Sequence, residues 1–253
     1  MTAYIDNNIV VYFEEKSISK IDLLKNVDEN ITDFFYSAAH LQEANEITAD
    51  NEINLKIRLN ERFNSISVLT NDNYLYTEVP SNKTFKLKEK PSTVYDTIND
   101  VPFAKTMMKN MMSIVSEENK EAFRIQLGID SKRINNYSAK EVITHINPQM
   151  DIMGSVSLVD LIEKMIELNP QGKEFGLHNR IAGIFELLDM IGYWKDKYNE
   201  KSNYARLWDA NHCYYSTFCD YFISDDKRTR NKAKVVFEVY DIKTKVISSK
   251  GEE

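Results

Sequence analysis

Apolar residues along the chain fall into two kinds of run. Short uninterrupted runs lie near both ends: Ala3-Tyr4-Ile5, Phe34-Phe35-Tyr36, Tyr221-Phe222-Ile223 and Val246-Ile247. Runs of this length, rich in aromatic and β-branched residues and bounded by polar ones, predict strands buried on both faces of a sheet. The second kind recurs every three or four residues. Ile18, Ile21, Leu23 and Leu24 predict a short amphipathic helix, and Ile53, Ile57, Phe63 and Ile66 a longer one. Ile181, Ile184, Phe185, Leu188, Ile191 and Trp194 predict a helix over 179–197, and Ala233, Val236, Phe237 and Tyr240 another over 227–240. Ser37 is placed to cap a helix over 38–47, and a further helix is expected over 204–218. Strand–helix alternation at both ends predicts an α/β fold: a small parallel sheet in a three-layer α/β/α arrangement.

The middle of the chain changes character. Tyr74 to Val79 and Thr84 to Leu87 read as strands, and helices follow. Phe103 to Val115 carries Met107, Met108, Met111 and Met112, a run that reads as a packing face. Glu117 to Leu127 is a second helix, Ser138 with Glu141 forms a capping box opening a third, and Leu158, Leu161, Ile162, Met165 and Ile166 stripe a fourth. Residues 70–170 are therefore expected to be a mostly helical insertion between two core segments, 1–69 and 171–253.

Composition narrows the chemistry. The 253 residues are 42% hydrophobic with a formal charge of −7, so bulk charge advertises no polyanion binder and any such surface must be local. Seven glycines and five prolines leave little room for glycine-built phosphate loops, and neither G-x-G-x-x-G nor a Walker A pattern occurs. Cys213 and Cys219 lack zinc-knuckle spacing and suit a reduced cytoplasmic interior. Met1 to Asp6 has no basic region followed by an apolar run, so no signal peptide is expected, and no apolar run approaches a bilayer span.

Four acids sit beside these predicted elements. Asp6 ends the first strand, Glu43 lies on the helix after the second, Asp209 on the helix before Tyr221, and Asp226 just past Ile223. The carboxyl edge of a parallel sheet is where such groups can meet. Carboxylates brought together out of water repel and raise one another's pKa, and a hard divalent cation removes that penalty. Oxygen ligands favour Mg2+ or Mn2+, and such an ion polarises a phosphoryl oxygen and acidifies a bound water. The implied chemistry is phosphodiester hydrolysis.

Tyr4-Ile5-Asp6, Tyr36-Ser37-x-x-His40-x-x-Glu43, Asp209, and Asp220-x-Phe222-Ile223-Ser224-x-Asp226-x-Arg228 together resemble the PIN-like nucleases over roughly 1–68 and 175–250. The resemblance implies a three-layer α/β/α fold that cuts RNA with magnesium or manganese. It implies Asp6, Glu43, Asp209 and Asp226 as metal-binding acids and Ser224 as a supporting hydroxyl. The chain departs from the commoner members in its length and in the His212, Tyr214 and Tyr215 that follow Asp209. His40 and His212, each three residues from one of the acids, are candidate phosphate donors or orienting groups. Lys227, Arg228 and Arg230, with Lys232 and Lys234, form a basic run that reads either as a solvated helix face or as a guide for a phosphate backbone.

Blander readings stand beside these. Asp226 or Asp225 has the position of a helix cap, with Asp225 the expected cap and Asp226 the expected ligand. Acid-x-x-His pairs on helices also mark di-iron bundles, but an acid directly after an N-terminal strand does not fit one. A PIN-like scaffold without catalysis and another metal-dependent phosphate hydrolase remain alternatives. A toxin or phage-defence effector, held in check by an inhibitor, follows only by analogy of fold. RNA is the expected substrate, with DNA open.

Overall fold

Strands β1 (Thr2–Ile5), β2 (Asp33–Ser37), β3 (Asn73–Glu78), β4 (Lys83–Lys88), β5 (Tyr221–Ile223) and β6 (Lys245–Ile247) form one sheet in the order β4-β3-β2-β1-β5-β6. Every neighbouring pair is parallel except β3 with β4, which is an antiparallel hairpin. The computed structural model describes residues 1–78, 81–98, 116–167, 176–197 and 199–252. The expected methionine-rich helix over 103–115 lies outside them.

The apolar runs are uninterrupted because both faces of the sheet are covered. Ala3, Ile5, Phe34, Tyr36, Tyr74, Tyr221 and Ile223 enter one core, packed by α1 (Asn7–Glu14), α2 (Lys20–Asn26), α3 (Ala38–Ala44), α4 (Glu52–Thr70) and α5 (Pro91–Tyr95). Tyr4, Phe35, Leu75, Phe222 and Val246 enter the other. That second core is closed by α6 (Glu117–Gln126), α7 (Ala139–Ile146), α8 (Leu158–Glu167), α9 (Gly176–Ile191), α10 (Glu200–Ser216) and α11 (Lys227–Val239). The chain is an α/β protein with a mostly parallel sheet, as its pattern predicts.

The stretch read as an insertion is less separate than expected. β3 and β4 extend the sheet itself, because Tyr74 and Leu75 each bury against a face of it. Further on, Leu127, Val142, Ile146 and Leu158 share one apolar core with Phe222 and Val236. Among the described residues these helices help to complete the second layer and share its core.

Topology fixes where a site can form. From β1 the chain moves outward to β2, β3 and β4, then returns to the other side of β1 to form β5 and β6. The order reverses between β1 and β5. In open α/β sheets the crevice beyond the carboxyl ends at such a reversal is where ligands bind, because connections diverge there and leave the strand ends uncovered.

Candidate active site

Asp6 lies at that reversal. Its backbone N–H donates to the Ile223 carbonyl at 2.8 Å, prolonging the β1–β5 pairing by one residue. Its side chain caps α1, accepting the Asn7 N–H on Oδ1 at 2.7 Å. On Oδ2 it accepts the Ser224 hydroxyl at 2.5 Å and the Asn8 amide at 2.6 Å. Burial raises its carboxyl above the ordinary range. His212 lowers it and Glu43 raises it again, and the Ser224 and Asn7 hydrogen bonds offset part of the rise.

Two histidines stand behind Asp6, and their surroundings shift them in opposite directions. The His40 ring accepts the Ser37 N–H on Nδ1 at 3.2 Å, so its Nε2–H donates to the Ile5 carbonyl at 2.9 Å. Complete burial and the neighbouring His212 push it well below its usual pKa, and it stays neutral. For His212, burial works the same way. The hydrogen bond and charge of Glu43 and the charge of Asp6 outweigh it, and the net shift is upward. His212 Nε2 lies 3.3 Å from Glu43 Oε2 and 3.8 Å from Asp6 Oδ1. Its Nδ1 is 2.8 Å from the Tyr4 hydroxyl, which is 2.6 Å from Ser37 Oγ. With Nε2–H donating to Glu43, a protonated ring also donates to Tyr4, whereas a neutral one accepts the Tyr4 hydroxyl.

Asp209 and His212 are three residues apart on α10 and so share a face. Asp209 is half-buried, and among the described residues no hydrogen-bond donor reaches its carboxylate. Its carboxyl is pushed well above the usual range by burial first and then by the negative fields of Asp6, Asp226 and Asp196, with Lys232 easing the shift. Asp6 and Asp226 therefore both act on Asp209 electrostatically. The four expected acids thus form a chain of neighbours: Glu43 to His212, His212 to Asp6, and Asp6 and Asp226 to Asp209.

The helix cap expected at Asp225 is instead Asp226. Asp226 is the cap of α11, its Oδ1 accepting the Arg228 and Thr229 N–H groups at 2.7 and 3.2 Å. Asp225 binds the C-terminal tail, accepting the Ser249 N–H at 2.8 Å and the Ser249 hydroxyl at 2.6 Å. Asp226 keeps one carboxylate oxygen outside the cap, whereas Asp225 has both oxygens engaged.

The expected substrate contacts divide by depth. Ser224 is fully buried and supports Asp6. His40 and His212 are also fully buried, too deep to touch a polymer, and act by holding β1 and the acids in place. The basic run does not form one face, because a helix turns consecutive cations to different sides. Lys227 and Arg228 are exposed, with Lys227 lying over the Trp194 ring. Arg230 is buried and donates to the Ser224 carbonyl at 2.8 Å. Lys232 is buried on Asp196 at 2.8 Å. Asn8, Tyr4 and Ser37 are not among the site residues expected from the sequence. Asn8 clasps the two strand ends: its amide nitrogen donates to Asp6 and Ser224, and its oxygen accepts the Asp225 N–H at 3.0 Å. Its place two residues after Asp6 was the available signal.

The donor set is oxygen only. Asp209 is half-buried, is raised by Asp6 and Asp226, and has no donor among the described residues. That chemistry fits a hard divalent cation held by Asp6, Asp209 and Asp226. As they stand, however, no three Asp, Glu, His or Cys side chains among the described residues are gathered closely enough to bind one. No family model matches the chain, and no curated protein or solved structure matches it.

Proposed function

We propose that the chain is a metal-dependent hydrolase of RNA phosphodiesters, with a PIN-like arrangement of strands and acids. The observation that carries this reading is the Asp209 carboxylate. A half-buried acid with no donor, raised by two other acids at the switch point of a parallel sheet, is destabilising unless something positive joins it. A bound Mg2+ or Mn2+ would neutralise the acids and supply Lewis-acid activation of the phosphodiester. The chain's own residues do the rest. Ser224 and Asn8 fix the Asp6 rotamer, and the α11 cap orients Asp226. His212 keeps Glu43 beside the cluster, and Lys227 and Arg228 stand exposed at the start of α11, next to Asp226.

One feature favours a second reading. His212 already lies between Glu43 and Asp6, and its pKa is raised, so when protonated it balances both acids as a scaffold without a metal would require.

Manganese titration and cleavage of end-labelled RNA separate the two. In the first reading the wild type binds Mn2+ and cuts RNA only with a divalent ion present, while Asp6→Asn loses at least a hundredfold in rate and binds the ion more weakly. Equal and ion-independent behaviour of wild type and variant would establish the scaffold reading.

A further inference from the structure

The β3–β4 hairpin exposes an aromatic and cationic surface that the acid site does not explain. Tyr76 and Phe85 are direct cross-strand partners with ring centroids 6.5 Å apart, and each is 42% exposed. Leu87, paired with Tyr74, lies exposed on the same face. Between residues 83 and 90 the chain carries four lysines, Lys83, Lys86, Lys88 and Lys90, against one glutamate, a local net charge of +3 in a chain of −7. Lys83 alternates onto the face of Phe85 and Leu87, whereas Lys86 and Lys88 alternate to the other face, the first over the Phe35 ring at 5.0 Å.

Lysines alone would be ordinary protection of an edge strand against pairing with other chains. Such protection does not leave two rings and a leucine open to water beside them. The rings are also held rigidly. Tyr76 packs on Tyr74 at 6.4 Å, Tyr74 on Tyr36 at 5.0 Å and Tyr36 on His40 at 6.3 Å, and His40 lies 4.6 Å from His212. An uninterrupted line of rings therefore joins the hairpin to the acid cluster. Position agrees with this. β3 runs parallel to β2, with Leu75 in register with Ser37, so Tyr76 and Phe85 lie one step beyond Ser37 on the carboxyl edge that carries Asp6.

We propose that this hairpin is a binding platform for single-stranded RNA. Bases stack on Tyr76 and Phe85, and the backbone runs past Lys83 on the same face toward the acids. Flat exposed rings with flanking cations suit an unpaired polyanion, since every base has a π face and a duplex hides its own. An acidic protein would take up the charge but has no use for the ring pair. The assignment of RNA as the ligand rests on the nuclease reading.

The test is fluorescence anisotropy of the full chain in EDTA, with labelled 12-mers of uridine and with an RNA duplex, at 50–300 mM salt. The single strand is expected to bind more tightly than the duplex, and Tyr76→Ala/Phe85→Ala to lower its affinity about tenfold. Phe85→Trp should bind as tightly as the wild type, whereas Phe85→Ala should bind more weakly. Lys83→Gln/Lys90→Gln should reduce the slope of log affinity against log salt by roughly 1.4, about 0.7 for each phosphate contact on a single strand. All these side chains are exposed, and unchanged thermal unfolding checks the fold. Wild-type affinity in the double aromatic variant would overturn the platform. So would duplex, heparin or polyglutamate binding as tightly as the single strand with no dependence on the rings. The two proposals fail separately. Ring-dependent binding without divalent-dependent cleavage sinks the nuclease reading alone, and cleavage whose KM ignores the hairpin sinks the platform alone.

Discussion

Asp209→Asn is expected to abolish RNA cleavage and, in EDTA, to make the protein more stable. The two effects have one cause. In the folded chain the Asp209 carboxylate is half-buried, has no donor among the described residues, and lies in the fields of Asp6 and Asp226. An amide of the same shape removes the charge repulsion and can donate to a neighbouring carboxylate. For a chain of this size a gain of about 1 kcal/mol raises Tm by roughly 2–4 °C. Rate should fall about a thousandfold, on the order of 4 kcal/mol of transition-state stabilisation, since the position best suited to bind a cation has lost its charge. Differential scanning fluorimetry with EDTA and with Mn2+ reads the coupling. Mn2+ should raise the Tm of the wild type and leave that of Asp209→Asn almost unmoved, because a ligand stabilises only the state that binds it. A variant with lowered Tm in EDTA and normal cleavage would show that Asp209 is a structural acid. Trading stability for a charged cluster is what separates a site from a surface feature.

Much of this arrangement is legible in the chain. Ala3-Tyr4-Ile5 and Tyr221-Phe222-Ile223 must be central strands, since a run apolar on consecutive residues has no face to offer water. Acids that end such strands then have to meet at one edge, and Asp6 and Asp226 do. The roles inside the site are less legible because they depend on which of two similar groups wins a local contest. Asp225 and Asp226 have the same chemistry. Asp226 caps α11 because Ser249 of the tail comes alongside Asp225 and engages both its oxygens, a contact 24 residues away. His40 and His212 are each three residues from an acid, but only the three-dimensional surroundings lower the pKa of one and raise that of the other. The basic run of α11 misleads for a similar reason. Linear spacing groups Lys227 with Lys232, whereas the helix sends the first to solvent and the second into the interior. Local pattern likewise placed β3 and β4 in an insertion, because nothing in residues 70–90 announces that β2 lacks a partner on that side.

The interior reached by Lys232 carries the second large effect. Asp189 of α9 accepts Lys120 Nζ of α6 at 2.5 Å and lies 3.3 Å from Arg206 of α10 and 4.0 Å from Lys232 of α11. Arg206 also forms a two-pronged pair with Glu186, at 2.8 and 2.9 Å. Asp189, Lys120, Arg206 and Lys232 are all nearly inaccessible. Four helices behind Asp209 are thus joined through one carboxylate. Burial alone would raise the Asp189 carboxyl, but Arg206, Lys232 and Lys120 together bring it below the ordinary range. Asp189→Asn leaves those cations buried with too little opposing charge, which in comparable broken pairs costs about 3–5 kcal/mol. Tm should fall by roughly 10 °C. The sign of the pH dependence follows from the depressed carboxyl. Its contribution to stability is complete above the unfolded-state value near 4, as it is roughly for a free aspartate, and is lost as pH falls through the lower folded value. The gap in Tm between wild type and Asp189→Asn should therefore be widest near neutrality and narrow below about pH 4. A gap that stays constant down to pH 3 would mean that the loss is one of packing, with no part played by the charge. Asp189→Glu provides the control: it keeps the charge but adds a methylene to a closed interior, so it should destabilise less than the amide and retain the narrowing at low pH.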